Sequence, residues 1–324
     1  MSHKRVYITV GQGCNLSCSY CSQDHTAVFP AQLDAPALLA KVAPYDALDV
    51  VFFGGEPLLY LEQVKAVVEV LEASEHACSF ALITNGLLLT QEVAYYCNDH
   101  AISVALSHDG PAQGLRSPFD PLADKTCLSA FLRCQNRSIS CVVSADNADL
   151  LATTRYFTDF FAQYDLAVPL RWEFLHVHDP VTAQRSLIFS PCFTGALKEA
   201  VRIAFNSTEV STEADIYRQN LTPYLTTLQR SLHTATIREG CGVTSALHLD
   251  LAGSEYPCHN LSVPGAPTNT YFQNGTCVGC PALMMCGGGC SIVPQQYKFH
   301  DCYVQRAVYL ALSTVLKGGV HGTV

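Results

Sequence analysis

Three cysteines, Cys14, Cys18 and Cys21, stand within eight residues in the spacing C-x3-C-x2-C, directly after the apolar run Val6–Val10. Thiolates are soft ligands that select zinc, copper(I) or an iron–sulfur cluster. A structural zinc ion needs a fourth nitrogen or sulfur donor, and His25 is close by in sequence. A cubane cluster held by these three cysteines alone keeps one iron without a protein ligand, open to a small molecule. A second set lies toward the C-terminus: Cys241, Gly253, Cys258, Cys277, Cys280, Cys286, Cys290 and Cys302, with seven cysteines among them. In isolation its C-x2-C-like knuckles also suit a zinc ribbon.

Sixteen cysteines in 324 residues are too few for a small disulfide scaffold and too clustered for scattered core thiols. Metal is the chemistry they point to. With 19 Lys and Arg against 28 Asp and Glu, the formal charge is −9 and no basic run offsets it, so no nucleic acid is expected as a partner. No apolar run approaches the ~20 residues that span a bilayer, so no membrane is expected either. His3, Lys4 and Arg5 lead straight into the strand-like Val6–Val10 with no secretory signal between, which predicts a cytoplasmic protein.

The elements that must hold these groups alternate. Strand-like Val6–Val10 precedes helical Leu33–Val42, Asp49–Phe53 precedes Leu61–Ala73, and Phe80–Thr84 precedes Gln91–Asn98. Ile102–Ser107 and Ile139–Ser144 are the next strands; Leu150–Phe161 is helical and Pro169–Leu175 extended. Six strands with helical crossovers predict an α/β fold, a partial (β/α)6 TIM-type barrel. Such barrels carry their chemistry at the strands' C-terminal ends. At those ends stand Gly54-Gly55-Glu56-Pro57, Thr84-Asn85-Gly86 and Ser107-His108-Asp109-Gly110-Pro111.

Beyond the barrel, Gly195–Phe205 and Glu213–Ser231 read as helices, the second broken at Pro223. Residues 239–303 are rich in Gly, Pro and Cys with little periodicity, so bound clusters rather than a hydrophobic core are expected to order them. Arg306–Lys317 reads as a closing helix. The expected organisation is a barrel at 1–190, a helical connector at 191–238, a cysteine-rich domain at 239–305 and a C-terminal helix at 306–324.

The opening cysteine loop, together with the GGEP, TNG and S-x-D-G-P segments in register, resembles the radical S-adenosylmethionine (SAM) superfamily. The resemblance implies that Cys14, Cys18 and Cys21 hold a [4Fe-4S] cluster whose open iron is chelated by SAM. It implies that Gly54, Gly55 and Glu56 receive SAM's amino group and that Asn85 and Ser107 also line the cofactor. Tyr20 stands where relatives carry an aromatic near adenine, or it simply packs. Arg116 or Arg133, with Arg116 favoured, would neutralise SAM's carboxylate.

The later pattern, C-x11-G-x4-C, C-x2-C-x5-C-x3-C, C, resembles the SPASM extension of that superfamily. That implies two auxiliary [4Fe-4S] clusters: the first on Cys241, Cys258 and Cys290, the second on Cys277, Cys280, Cys286 and Cys302. The first is one ligand short, because Ala235 stands six residues before Cys241 where relatives have a cysteine. Its iron is then open to substrate, or is completed by Cys192, Glu239 or His233. Cys192 has rival readings as a thiol hydrogen donor and as a plain thiol. Glu173, beside Trp172 and near His176 and His178 at the barrel mouth, is a candidate catalytic or substrate contact. His259 follows Cys258 where sulfatase-maturating relatives carry an aspartate, which speaks against formylglycine formation. Cys78, Cys97, Cys127, Cys134 and Cys141 read as core residues.

By this resemblance the chain is expected to abstract a hydrogen atom from a ribosomally made peptide, giving a crosslink, thioether, epimer or oxidised residue. The alternatives are a dehydrogenase of a small alcohol or amino sugar, a formylglycine-forming maturase, and a non-enzymatic iron–sulfur electron carrier. A flavodoxin- or ferredoxin-type donor is the expected electron source. No domain precedes the first strand, so a separate leader-binding protein is expected, or direct reading of the substrate.

Overall fold

Period-two alternation sets the sheet. In Ala47–Gly54, Leu48, Val50 and Phe52 are buried while Asp49, Val51 and Phe53 are only partly covered, the pattern of a strand with one face under helices. The same alternation recurs in Ala77–Thr84 and Ser103–Ser107. The chain is seen here as a computed structural model that describes residues 2–23, 25–208, 210–234, 246–258, 277, 279–286 and 293–318.

In order, the elements are β1 (His3–Gly11), α1 (Ala35–Val42), β2 (Ala47–Gly54), α2 (Leu61–Glu72), β3 (Ala77–Thr84), α3 (Gln91–Asp99) and β4 (Ser103–Ser107). There follow α4 (Gln113–Arg116), α5 (Lys125–Arg133), β5 (Arg137–Val143), α6 (Leu150–Ala162), β6 (Leu170–Phe174), α7 (Pro180–Gln184), α8 (Phe193–Asn206) and α9 (Thr212–Thr234). The last are β7 (Ala246–Asp250), α10 (Leu283–Cys286) and α11 (Lys298–Gly318). The strands lie in the order β6-β5-β4-β3-β2-β1-β7, and β1–β2, β2–β3, β3–β4, β4–β5 and β1–β7 pair in parallel. Side chains begin several of the helices: Asp34, Thr90, Asp124 and Asp149 each accept a backbone N–H of the first turn. Each such cap contributes roughly 1 kcal/mol.

The chain forms two compact units. The first comprises residues 1–108, 113–140 and 242–268, the second 109–112, 141–241 and 269–324. In the first, the covered face of the sheet carries Ile8, Val50, Phe52, Leu82 and Val104, and α2 contributes Val64, Val67, Val68 and Leu71. The second is built on α6, α8, α9 and α11, with Phe157, Phe161, Phe193, Leu197, Leu228, Val308 and Leu312 buried. There the side chain of Asn220 accepts from Trp172 N (2.7 Å) and donates to Leu170 O (2.7 Å), fastening α9 to β6.

The α/β barrel-type fold holds, with three differences in its elements. A seventh strand, β7, lies inside the stretch read as lacking periodicity and pairs with β1 from Arg5↔Ala246 to Thr9↔Asp250. Helix α9 runs through Pro223 without a break. An internal proline costs about 3 kcal/mol, but α9 buries Ile216, Tyr217, Leu221, Leu225 and Leu228, and that burial outweighs it. Helix α11 begins at Lys298, so Cys302 rides on the closing helix. Among the described residues no helix is long and apolar enough to cross a membrane.

Candidate functional site

The opening loop is built by backbone packing. The end of β1 runs so close to the end of β2 that a Cβ on Gly55 would lie 2.3 Å from the carbonyl oxygens of both Gln12 and Gly13. Gly54, at φ +146°, would put a Cβ 2.1 Å from Gly11 O. Only glycine tolerates that approach and that backbone angle. Gly55 N donates to Gly11 O (3.0 Å) and Glu56 N to Gly13 O (2.9 Å), so the two strand ends are laced together. Tyr60, in the 3-10 turn Pro57–Tyr60, lies under the same segment: its hydroxyl accepts from Gly13 N at 2.9 Å, and its ring fills the space a side chain at Gly11 would need.

Glu56 is 1% exposed, and its carboxylate is engaged within the fold. It accepts from Leu58 N (3.0 Å), Thr84 Oγ1 (2.7 Å) and Asn85 N (2.8 Å), joining the end of β2 to the end of β3. Burial pushes its pKa above the ordinary carboxylate value; those three donors and the Arg116 charge oppose the shift without reversing it.

Around this frame the three thiols each meet a different side-chain nitrogen. Asn85 Nδ2 lies 3.8 Å from Cys14 Sγ and donates to Asn15 Oδ1 at 2.8 Å. Arg116 Nε lies 3.5 Å from Cys18 Sγ. His25 Nε2 lies 3.3 Å from Cys21 Sγ. The main chain closes the arrangement, since Ser19 N donates to Arg116 O (3.3 Å) and Ser19 Oγ to Leu115 O (2.9 Å). None of the three thiols is in a disulfide. Burial raises the pKa of Cys14 and Cys21, opposed by backbone N–H groups of Leu16 and Gln23 respectively. Among the described residues no three His, Cys, Asp or Glu side chains converge as a ready site for one metal ion. Three clustered thiols, each faced by a side-chain nitrogen, form a donor set that fits an iron–sulfur cluster with one iron left open to a small polar ligand.

Of the other residues singled out, Ser107 ends β4 opposite Ser140, on the less covered face, and Tyr20 is half-buried in the cysteine loop. Arg133 sits apart, its guanidinium 4.9 Å over the Tyr95 ring on the helical layer. In the second unit Glu173 pairs with Arg171 (2.8 Å) on the face of β6 opposite Trp172, which packs on Tyr217. Cys192 is exposed just ahead of α8, 3.3 Å from Ser190 Oγ. Cys277, Cys280 and Cys302 lie within electrostatic reach of one another, and Arg306 hydrogen-bonds Cys280. Cys286 ends α10. Cys258 is buried in the first unit, after a turn in which Asp250 accepts from Ala252 N and Ser254 N and Gly253 takes φ +74°. Ala235, Glu239, Cys241, His259 and Cys290 lie outside the described residues, and His233 is exposed near the end of α9.

Tyr60 and Asn15 were not read as site residues in the sequence, and His25 was read only as a fourth donor for zinc. A tyrosine just beyond the GGEP segment is the one local signal that could have drawn attention to Tyr60.

Residues 8–126 match the Radical SAM superfamily. A GTP 3′,8-cyclase of Chlorobaculum tepidum is 32% identical over 91 residues, a stretch that spans 27% of this chain and 27% of that protein. Native anSMEcpe with bound AdoMet and a Cp18Cys peptide shares the fold over 99% of this chain and 100% of that chain, at 18% identity and a TM-score of 0.66. SuiB of Streptococcus suis, solved bound to the precursor peptide SuiA, shares it over 90% of this chain and 72% of that chain, at 12% identity and a TM-score of 0.54.

Proposed function

We propose, from the match of residues 8–126 to the Radical SAM superfamily, that the chain cleaves SAM reductively and modifies a peptide by hydrogen-atom abstraction. The observation that carries the reading is the ring of Asn85, Arg116 and His25 nitrogens set against the Cys14, Cys18 and Cys21 sulfurs. Those three thiolates would hold a [4Fe-4S] cluster. Bound there, such a cluster would supply the single electron that reductive cleavage of SAM requires, and SAM would supply the radical that abstracts hydrogen from substrate.

The chain's own residues orient and shield. By the family resemblance, the Gly54-Gly55 turn, held against Gly11 and Gly13, would receive SAM's ammonium group. Glu56 acts by holding that turn to the end of β3, since three donors already occupy its carboxylate. Arg116, beside Cys18, supplies the cation for SAM's carboxylate, and Ser107 and Tyr20 line the same cofactor. In the second unit Cys277, Cys280, Cys286 and Cys302 would hold one auxiliary cluster. Cys258 would join Cys241 and Cys290 in the other, with Cys192 as its fourth ligand or as a hydrogen donor and Glu173 as a substrate contact.

A peptide substrate is supported by the shared fold with two proteins solved with peptides. A flavodoxin- or ferredoxin-type donor would supply the electron, and either a separate protein would bind the leader or the chain would read the substrate directly. The test is anaerobic reconstitution followed by assay of 5′-deoxyadenosine from SAM and dithionite, and mass analysis of co-expressed short peptides. Cys18→Ala should abolish cleavage, while Cys286→Ala should spare some uncoupled cleavage and stop product. Full activity in either variant contradicts the assignment, and turnover of a small alcohol with every peptide unchanged favours a dehydrogenase.

A further inference from the structure

Residues 113–124, from α4 to the start of α5, carry Arg116 and are folded on themselves. Buried Gln113 donates through Nε2 to Phe119 O (2.8 Å), Ser117 N donates to Gln113 O (3.1 Å), and Ser117 Oγ accepts from Phe119 N (3.1 Å). Asp120 Oδ1 accepts from Leu122 N (2.9 Å) and Ala123 N (3.2 Å), shaping the turn into α5. The same oxygen accepts from His108 Nε2 at 3.0 Å. His108 is fully buried just past the end of β4, and its backbone N–H donates to Ser140 O on β5 (3.0 Å). An ionised carboxylate only accepts, so Nε2 carries the hydrogen whether the ring is neutral or charged, and the bond needs no change of protonation.

We infer that His108 and Asp120 are positioning residues for Arg116: their bond fastens this loop to the rim of the sheet, and the loop holds the guanidinium beside Cys18, with Nε 3.5 Å from Sγ. The inference rests on the reading of Arg116 as the cation for SAM's carboxylate. On the side of the cysteines the loop is held through its main chain, by Ser19 N to Arg116 O (3.3 Å) and Ser19 Oγ to Leu115 O (2.9 Å). Those bonds join one loop to another, whereas the His108–Asp120 bond refers the loop to paired strands. A charged acceptor makes it the stronger kind of hydrogen bond, and the imidazole in turn holds the Asp120 carboxyl below its ordinary pKa. Placement matters for this residue type because a guanidinium is a rigid planar fork that meets a carboxylate well in few orientations.

The test titrates SAM into anaerobically reconstituted, oxidised enzyme by calorimetry, after iron and sulfide per chain have been measured. His108→Phe and Asp120→Ala should each weaken SAM binding about fivefold at unchanged iron, and His108→Gln, which keeps a donor, should recover part of that loss. A residue that acts through Arg116 has nothing left to position once the guanidinium is gone, so His108→Phe combined with Arg116→Ala should bind SAM within about twofold of Arg116→Ala alone. Losses that multiply in the double variant overturn the inference, because the pair would then act by another route. Unchanged affinity in both His108→Phe and Asp120→Ala overturns it, as does loss of iron from both, which would make the pair a builder of the cysteine loop. If His108→Phe does not fold, Asp120→Ala alone and combined with Arg116→Ala gives the same comparison from the partly exposed end of the bond. Wild type without iron or sulfide, or Arg116→Ala that binds SAM as wild type does, instead removes the functional reading beneath it, a distinguishable failure.

Discussion

The carboxylate of Glu56 and the backbone N–H of Asn85 are joined by a 2.8 Å hydrogen bond that ties the GGEP turn to the end of the neighbouring strand. The same carboxylate takes Thr84 Oγ1 and Leu58 N, so one buried side chain organises two of the sequence segments that line the site.

Removing that side chain leaves three donors unmade in a buried place, each loss being worth about 1–3 kcal/mol. Glu56→Ala should lose about 3 kcal/mol or more in urea unfolding, and Glu56→Gln less, because the amide keeps one acceptor. A Glu56→Ala chain with the wild-type urea midpoint would refute this role.

Glycine at 55 is required by backbone contact, whereas Gly114 in α4 has open space around its missing Cβ. Gly55→Ala should push β1 and β2 apart at the cysteine loop and lower iron loading by half or more. Gly114→Ala should be neutral or stabilise by up to about 1 kcal/mol, since alanine favours helix. Iron content and thermal melts of the two variants check both directions, and equal loading would count against the close approach.

Two arginines were candidates for the cofactor carboxylate. Arg116 lies 3.5 Å from Cys18 Sγ, and Arg133 lies over the Tyr95 ring. Arg116→Ala should reduce 5′-deoxyadenosine formation by about tenfold or more, in line with loss of a charged hydrogen bond of ~1.5–3 kcal/mol. Arg133→Ala should stay within about twofold. The reverse order in the same assay would reassign the role.

His248 in β7 stacks on Tyr7 of β1 at 5.0 Å. Burial, with a smaller contribution from Lys4, lowers its pKa from 6.5 to about 4. The fold accepts the neutral ring, so on acidification the unfolded chain takes up a proton first. Stability should be complete above about pH 6.5 and fall as pH drops toward about 4. Between pH 7.5 and 5 the loss from this residue should be at most about 2 kcal/mol, at roughly 1.4 kcal/mol per unit. His248→Phe, which keeps a ring, should flatten that part of the urea-midpoint profile; an unchanged slope would show that other groups carry it.

The sheet and the cysteine loop were legible because their signals are local. Alternation along Ala47–Gly54 repeats every second residue, and a C-x3-C-x2-C spacing puts three thiols on one loop whatever the rest of the chain does. Strand β7 escaped notice because its five residues, Ala246–Asp250, are too few to set up a period within a cysteine-rich stretch, and their partner β1 lies far away in sequence, at His3–Gly11.

What the order of residues determined by itself was the chemistry on offer: clustered soft thiols, a glycine pair, and strand ends to hold them. Only the tertiary structure decided which groups face those thiols. Tyr60 reaches Gly13 across 47 positions, Thr84 reaches Glu56 across 28, and Arg116 reaches Cys18 across 98. Hydrogen bonds over such separations follow from how parallel strands pack side by side, and that packing depends on buried apolar contacts summed over the whole sheet rather than on the residues that meet.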